Sequence, residues 1–461
     1  MNAFYGIGFH LFSYPFEKIL NLFNLNFELT EEGKLQLIKH PAVIILFVIS
    51  GIYFKKIVFL TTSNKNFSSL SAIIYLLYPY LLGHNFFNVK DAPFMSVWLI
   101  CTFYIVDIIQ NFLEKKEIFI TKVVLLAILT SFLLSIKIVG ILIFFEFLIF
   151  IIFLFYFSNL KINFFLKKIY KPFIIYLSII VILTYLLNPH FWHNPLIFIS
   201  AIDFFKNHVQ TVCTLTLGEC MKAQNLPSSY LPIWLFFKLP IVVLAGLFIF
   251  PLVERKIFAL KSNSIIIGSL TITVFGILFI LIMLNAVLYD ELRHVLFLMP
   301  IILIISFTSI YYYFSKKIIT FCFIIYSLFF AYQNIKLFPY NYIWINNFSN
   351  FIDVTKNFEL DYWGASTKSI SNFFKNQEID KGCIISSRNE TIKYYLIGKP
   401  DQCFIDFKNM DKKNVRPFFI ALLERKLDKS VPDNCFQIYE EKVNLNFSRK
   451  KLVMARIFKC E

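Results

Sequence analysis

Ten apolar runs, each close to the ~20 residues that a helix needs to cross a bilayer, constrain this chain more than any other feature. They fall near 41–60, 67–83, 93–110, 118–136, 138–157, 172–188, 232–253, 264–287, 294–314 and 318–335. No soluble core absorbs that many. Hydrophobic residues make up 58% of the 461 and charged residues only 16%, with a mean hydropathy of +0.66. A soluble domain is nearer half apolar and a quarter charged, so the composition points to a polytopic α-helical membrane protein. The 58 Phe accompany abundant Ile, Lys and Asn. We read them as compositional bias at packing and lipid-facing positions, not as a stacking platform.

The net charge of +16 is a topology signal. Basic residues gather in alternate gaps: Lys55, Lys56 and Lys65; Lys115, Lys116 and Lys122; Lys161, Lys167, Lys168 and Lys171; Arg255, Lys256 and Lys261; Lys316 and Lys317. The positive-inside rule makes those gaps cytoplasmic, and no nucleic-acid partner is expected. The outer face then receives 83–94, the long loop 189–231, the 288–293 turn, the segment 1–40 and everything after 336. Residues 3–23 read as an amphipathic helix on the outer interface. Residues 1–25 lack a basic n-region and a small-residue cleavage site. An N-terminus outside without a signal peptide leads us to expect a further span upstream of Met1.

Beyond 336 the chain changes character, with more charge and Asn and no span-length apolar run. The division expected is an outer amphipathic segment 1–40, a transmembrane domain 41–336, and a soluble extracytoplasmic α+β domain 337–461. Runs beginning at Cys383, Cys403 and Leu452 read as strands. Phe418 to Lys426 fits a helix or a strand equally well. Six cysteines, Cys213, Cys220, Cys383, Cys403, Cys435 and Cys460, fall on the outer face, where disulfides persist. Cys435 and Cys460 suit a stapled terminal hairpin, but the connectivity of all six stays open. Zinc is disfavoured: no Cys-x-x-Cys spacing occurs and the tail has no His. Cys101 and Cys322 lie inside spans and read as packing residues.

Chemistry concentrates at span boundaries. Lys90-Asp91 sits in a short polar loop before Pro93, where ionisable groups stay wet, pair, or serve a function. An incidental solvated pair is the plain alternative. Lys137, near the outer end of its span, either snorkels to the headgroups or grips a phosphate. Arg293 and His294 open a late span. Arg suits bidentate phosphate binding, and pairing with Asp290 or Glu291 is the plain alternative. Glu146 is costly in a span and receives no role.

Six segments together resemble the GT-C superfamily of lipid-carrier-dependent glycosyltransferases, in its protein-mannosyltransferase-like branch. The 83–94 loop with Lys90-Asp91-Ala92-Pro93-Phe94 resembles that branch's second outer-loop motif. The 133–140 segment is similar to its basic-residue-plus-Gly span, with Lys137 as the basic residue. Pro189 with Trp192, Asn194 and Pro195 looks like a loop opening of the family. Ser229 through Pro240 resembles its re-entry into the membrane, and Arg293-His294 through Pro300 its late span start. Phe338-Pro339-Tyr340 followed by Glu359-Leu360-Asp361-Tyr362-Trp363-Gly364 resembles the start of its outer tail. The likeness covers residues 1 to about 375. The acidic motif of the family's first outer loop has no counterpart in this sequence, where Glu17 is the nearest acidic residue.

The resemblance implies transfer of a monosaccharide from a polyprenyl-phosphate donor, at the outer face of a bacterial-type inner membrane. The acceptor would be a glycan, lipid or protein. Asp91 would act as catalytic carboxylate with Lys90 beside it, and Lys137, Arg293 and His294 would hold the phosphate. A divalent cation at Asp91 is compatible with it, and no nucleotide cofactor is expected. A transporter or flippase, or an inactive lipid-binding homologue, stands as the alternative. A transporter more typically shows internal repeats and broken spans at the midplane, and the polar residues here gather on one face.

Overall fold

The computed structural model describes residues 6–22, 31–158, 162–194, 212–376, 383–396, 403–406, 418–423, 431–445 and 451–460. The middle of the expected outer loop, 195–211, and parts of the segment 1–40 lie outside them. Two compact units emerge. One comprises Met1–Gln210, Leu239–Leu288 and Leu292–Tyr332, the other Thr211–Lys238, Tyr289–Glu291 and Gln333–Glu461.

The first unit is helical. Its helices include α1 (Gly8–Leu22), α2 (Glu31–Thr62), α3 (Lys65–Leu77), α4 (Pro79–Phe87), α5 (Asp91–Lys115), α6 (Ile120–Ile136), α7 (Ile143–Ser158) and α8 (Ile162–Leu187). Across the described residues, seven helices are long and apolar enough to cross a membrane, or nine if each of two bent pairs is one span. These are the helices of a multi-pass membrane protein, with seven to nine such spans where the sequence reading had ten. With each bent pair counted as one span, the shortfall is α6 alone, whose 17 residues reach about 26 Å at ~1.5 Å per residue, short of a ~30 Å hydrocarbon core. The first bent pair is α3 and α4, which meet at 52°. Pro79 opens α4, where its fixed φ suits a helix start and its missing N–H rules out continuation from α3.

Burial separates central helices from peripheral ones. The apolar stretches of α5 and of Arg293–Tyr313 are each 89% buried, against 17% in Asn163–Leu187 and 28% in Lys316–Leu337. Apolar helices left that open face lipid. Trp98 of α5 packs on Phe297 with ring centroids 4.4 Å apart, and Phe94 on Phe297 at 5.4 Å. Helix α1 lies where an amphipathic segment was expected. The chain just before it is pinned by Gly6 N–H to Ser135 O (2.9 Å) and Ile7 N–H to Leu187 O (2.8 Å). A Cβ at Gly6 would stand 2.6 Å from Leu187 O and 2.8 Å from Ser135 Cβ, so that approach requires glycine.

The second unit carries the sheets. Strands β1 (Cys213–Thr216) and β2 (Glu219–Lys222) form a hairpin closed by Cys213–Cys220. Its two turn residues, Leu217 and Gly218, have φ of 51° and 83°, the left-handed values a tight hairpin turn requires. A five-stranded sheet follows with order β4-β3-β5-β7-β6, built from β3 (Cys383–Ser386), β4 (Cys403–Asp406), β5 (Phe418–Leu423), β6 (Cys435–Asn444) and β7 (Lys451–Cys460). Strands β4, β3 and β5 run parallel, and β7 and β6 add antiparallel. Ile370 and Phe374 of helix Thr367–Asn376 pack on one face with Ile384, Leu423 and Ile457. Ile385, Ile405, Ile420 and Leu422 fill the other. Phe418–Leu423 is therefore a strand, buried on both faces.

The cysteine pairing is resolved. Cys383–Cys403 links adjacent parallel strands, and Cys435–Cys460 staples the terminal hairpin at paired positions. Cys101 is a buried free thiol, as a packing residue should be, whereas Cys322 is free but exposed. It points outward from a helix with little buried surface, which corrects its reading as a packing residue.

Candidate functional site

The α4–α5 junction is built around Asn88. Its side-chain oxygen accepts from the backbone N–H of Lys90 (3.1 Å) and Asp91 (2.7 Å), and its amide donates to Asp91 Oδ2 at 2.8 Å. Two helix-start amides without an intrahelical acceptor and one carboxylate oxygen are thus satisfied by a single residue. Asp91 is the first residue of α5, where a negative charge suits the helix dipole. It is only 6% exposed. Sequence reasoning missed Asn88, since an Asn in a turn is commonplace; its spacing of three from Asp91, immediately before a helix, was the available signal.

The second oxygen, Asp91 Oδ1, is paired with the Lys137 ammonium. Lys137 occupies the break between α6 and the 3-10 turn Ile138–Leu142, in extended backbone with φ −151° and ψ 134°. Gly140 N–H returns to Lys137 O at 2.9 Å. A Cβ at Gly140 would stand 3.3 Å from the Leu133 backbone. The spacing from Leu133 to Gly140 is therefore the geometry that ends α6 and turns Lys137 toward Asp91. A lysine that only snorkels would not need a carboxylate partner across 46 residues of chain.

Arg293 and His294 open the other central helix, and Arg293 Nε donates to His294 Nε2 at 3.4 Å. Arg293, His294 and Lys137 all lie within electrostatic reach of the Asp91 carboxylate. Lys90 is exposed, within electrostatic reach of Lys137, Asp91, Lys39 and Arg293. All five residues singled out from sequence thus converge, with Lys39 an addition the sequence did not suggest. The cluster carries more positive than negative charge, which suits a phosphate. Among the described residues no group of three or more His, Cys, Asp and Glu side chains is arranged to hold a metal ion. Below the cluster, Trp98 Nε1 donates to Glu146 Oε2 at 2.8 Å, so the intramembrane carboxylate anchors the ring that packs on Phe297.

Three other charged residues serve a different network, in the second unit. Lys238 and Glu291 form a fully buried pair at 2.8 Å, and Lys238 also donates to Tyr342 O at 3.4 Å. Glu291 thus pairs with Lys238, where the sequence had offered it to Arg293. Asp361, fully buried, accepts from Tyr342 Oη, Ser366 Oγ, and the N–H groups of Ala365 (2.9 Å) and Ser366 (3.0 Å). Burial holds the Asp361 carboxyl above the ordinary range, although these donors pull it down. Gly364, at φ 73°, closes the turn onto Asp361 O at 3.0 Å. The 359–364 motif is therefore structural.

No protein-family model matches the chain, and no curated protein matches it.

Proposed function

We propose that this chain is a membrane glycosyltransferase of the GT-C, protein-mannosyltransferase-like kind. It would move a monosaccharide from a polyprenyl-phosphate donor to an acceptor at the outer face of a bacterial-type membrane. The observation that carries this reading is a buried Asp91 carboxylate gripped by Lys137, with Arg293 and His294 beside it at the end of two central helices. A lipid-linked donor reaches such a boundary site laterally, without leaving the bilayer.

The chemistry follows from the pairing. The donor's phosphate competes with Asp91 for Lys137, and its arrival frees Oδ1 while Asn88 still holds Oδ2. The freed carboxylate takes the proton of the acceptor hydroxyl as general base. The hydroxyl oxygen bonds to the anomeric carbon, the bond from that carbon to the phosphate oxygen breaks, and polyprenyl phosphate leaves. Lys137 and Arg293 stabilise the charge on the departing phosphate; Lys90 adds to the field, and His294 orients Arg293 through its Nε2.

Native mass spectrometry of the detergent-released protein with polyprenyl phosphate tests the binding half. Retention is expected to fall about tenfold in Lys137→Met and again in Arg293→Met, the scale of one lost charge-assisted contact. Equal retention by wild type and both variants would remove the phosphate assignment.

A further inference from the structure

The second unit holds a cavity of about 270 Å³ far in sequence from the residues of the Asp91 cluster. It is lined by Ser349, Asn350 and the 352–355 stretch on one side and by Leu445, Lys451 and Leu452 of the terminal hairpin on the other. At ~30 Å³ per water that space equals roughly nine waters, more than a packing fault. Ser349 is 3% exposed and its hydroxyl, buried among the lining residues, has no hydrogen-bond partner. Such a group destabilises the fold unless something in the cavity hydrogen-bonds to it.

We propose that this cavity binds a neutral carbohydrate unit. The lining alternates functions as a sugar ring does. Asn350, Ser349 and Thr355 each offer groups that both donate and accept, as hydroxyls require. Ile352, Val354, Leu445 and Leu452 supply aliphatic surface for the C–H face. The two charged lining residues, Asp353 and Lys451, are of opposite sign, and Asp353 also has Lys356 at 3.9 Å. The lining itself thus holds one cation and one anion, and its hydroxyl and amide groups make hydroxyl recognition the basis of selectivity. Phe351, between two lining residues, is 85% exposed, an open aromatic surface beside the cavity in sequence. The proposal concerns a carbohydrate-binding site of the sheet-bearing unit and does not depend on transfer at Asp91.

The test uses the full chain in lipid nanodiscs, free of sugar-based detergent, with saturation-transfer NMR of N-acetylglucosamine and methyl mannoside. At least one sugar is expected to receive saturation. Ser349→Val is expected to weaken its affinity about tenfold, the cost of one lost hydrogen bond to a buried partner. Thr355→Trp, which fills the cavity, is expected to abolish the signal. Near-UV circular dichroism equal to wild type shows that each variant is folded. Absence of saturation transfer to both sugars in the wild type overturns the proposal. Signal that persists in folded Thr355→Trp arises elsewhere on the chain and overturns it equally.

Discussion

Asp91→Asn is expected to lower sugar transfer by about 10²–10⁴-fold, the usual worth of a positioned general base, while polyprenyl phosphate binds as tightly as before or tighter. The split follows from the geometry. The amide keeps the shape of the carboxylate and its contact with Asn88, but it cannot take a proton, and it releases Lys137 from its ion pair. A structural role for Asp91 would move both quantities together. Asn88→Ala supplies the companion result. It removes the donor to Oδ2 and the acceptor of two backbone N–H groups, so the turnover number should fall about tenfold with little change in KM. Wild-type turnover in Asp91→Asn would end its assignment as base, and a KM effect alone in Asn88→Ala would end that residue's positioning role.

Asp361→Ala is expected to cost roughly 3–5 kcal/mol, because two hydroxyls and two backbone amides lose a fully buried acceptor at once. Asp361→Asn should also destabilise, since its NH2 group would face two of those donors. Hydrogen exchange reports this locally: the amides of Ala365 and Ser366 bond directly to the carboxylate and should lose protection in both variants. Unchanged protection at those two amides would show that the network does not hold the turn.

The spans were legible because a membrane imposes its thickness on the sequence, and apolar length is a one-dimensional property. The terminal hairpin was legible for a similar reason, with strand-like runs on either side of a turn and a cysteine at each outer end. Phe418–Leu423 was ambiguous because six apolar residues in a row suit a buried strand and a helix alike. Only its pairing with β3 on one side and β7 on the other decides. Partners far apart in sequence were invisible: Lys137 with Asp91, Lys238 with Glu291, Trp98 with Glu146. Residue types marked each as worth watching, but a sequence carries no distance between helices. The resemblance grouped Asp91 and Asp361 as motif residues alike. The structure separates them, giving Asp91 a neighbourhood of partly exposed cations and Asp361 a sealed set of donors.

The most direct measurement is label transfer by the purified wild-type chain in vesicles, from polyprenyl-phosphate-linked hexose and pentose donors to membrane-extracted acceptors. Turnover from at least one donor, absent in Asp91→Asn, is the result expected of a lipid-phosphate-dependent glycosyltransferase. Wild-type turnover no greater than that of Asp91→Asn with every donor would contradict it.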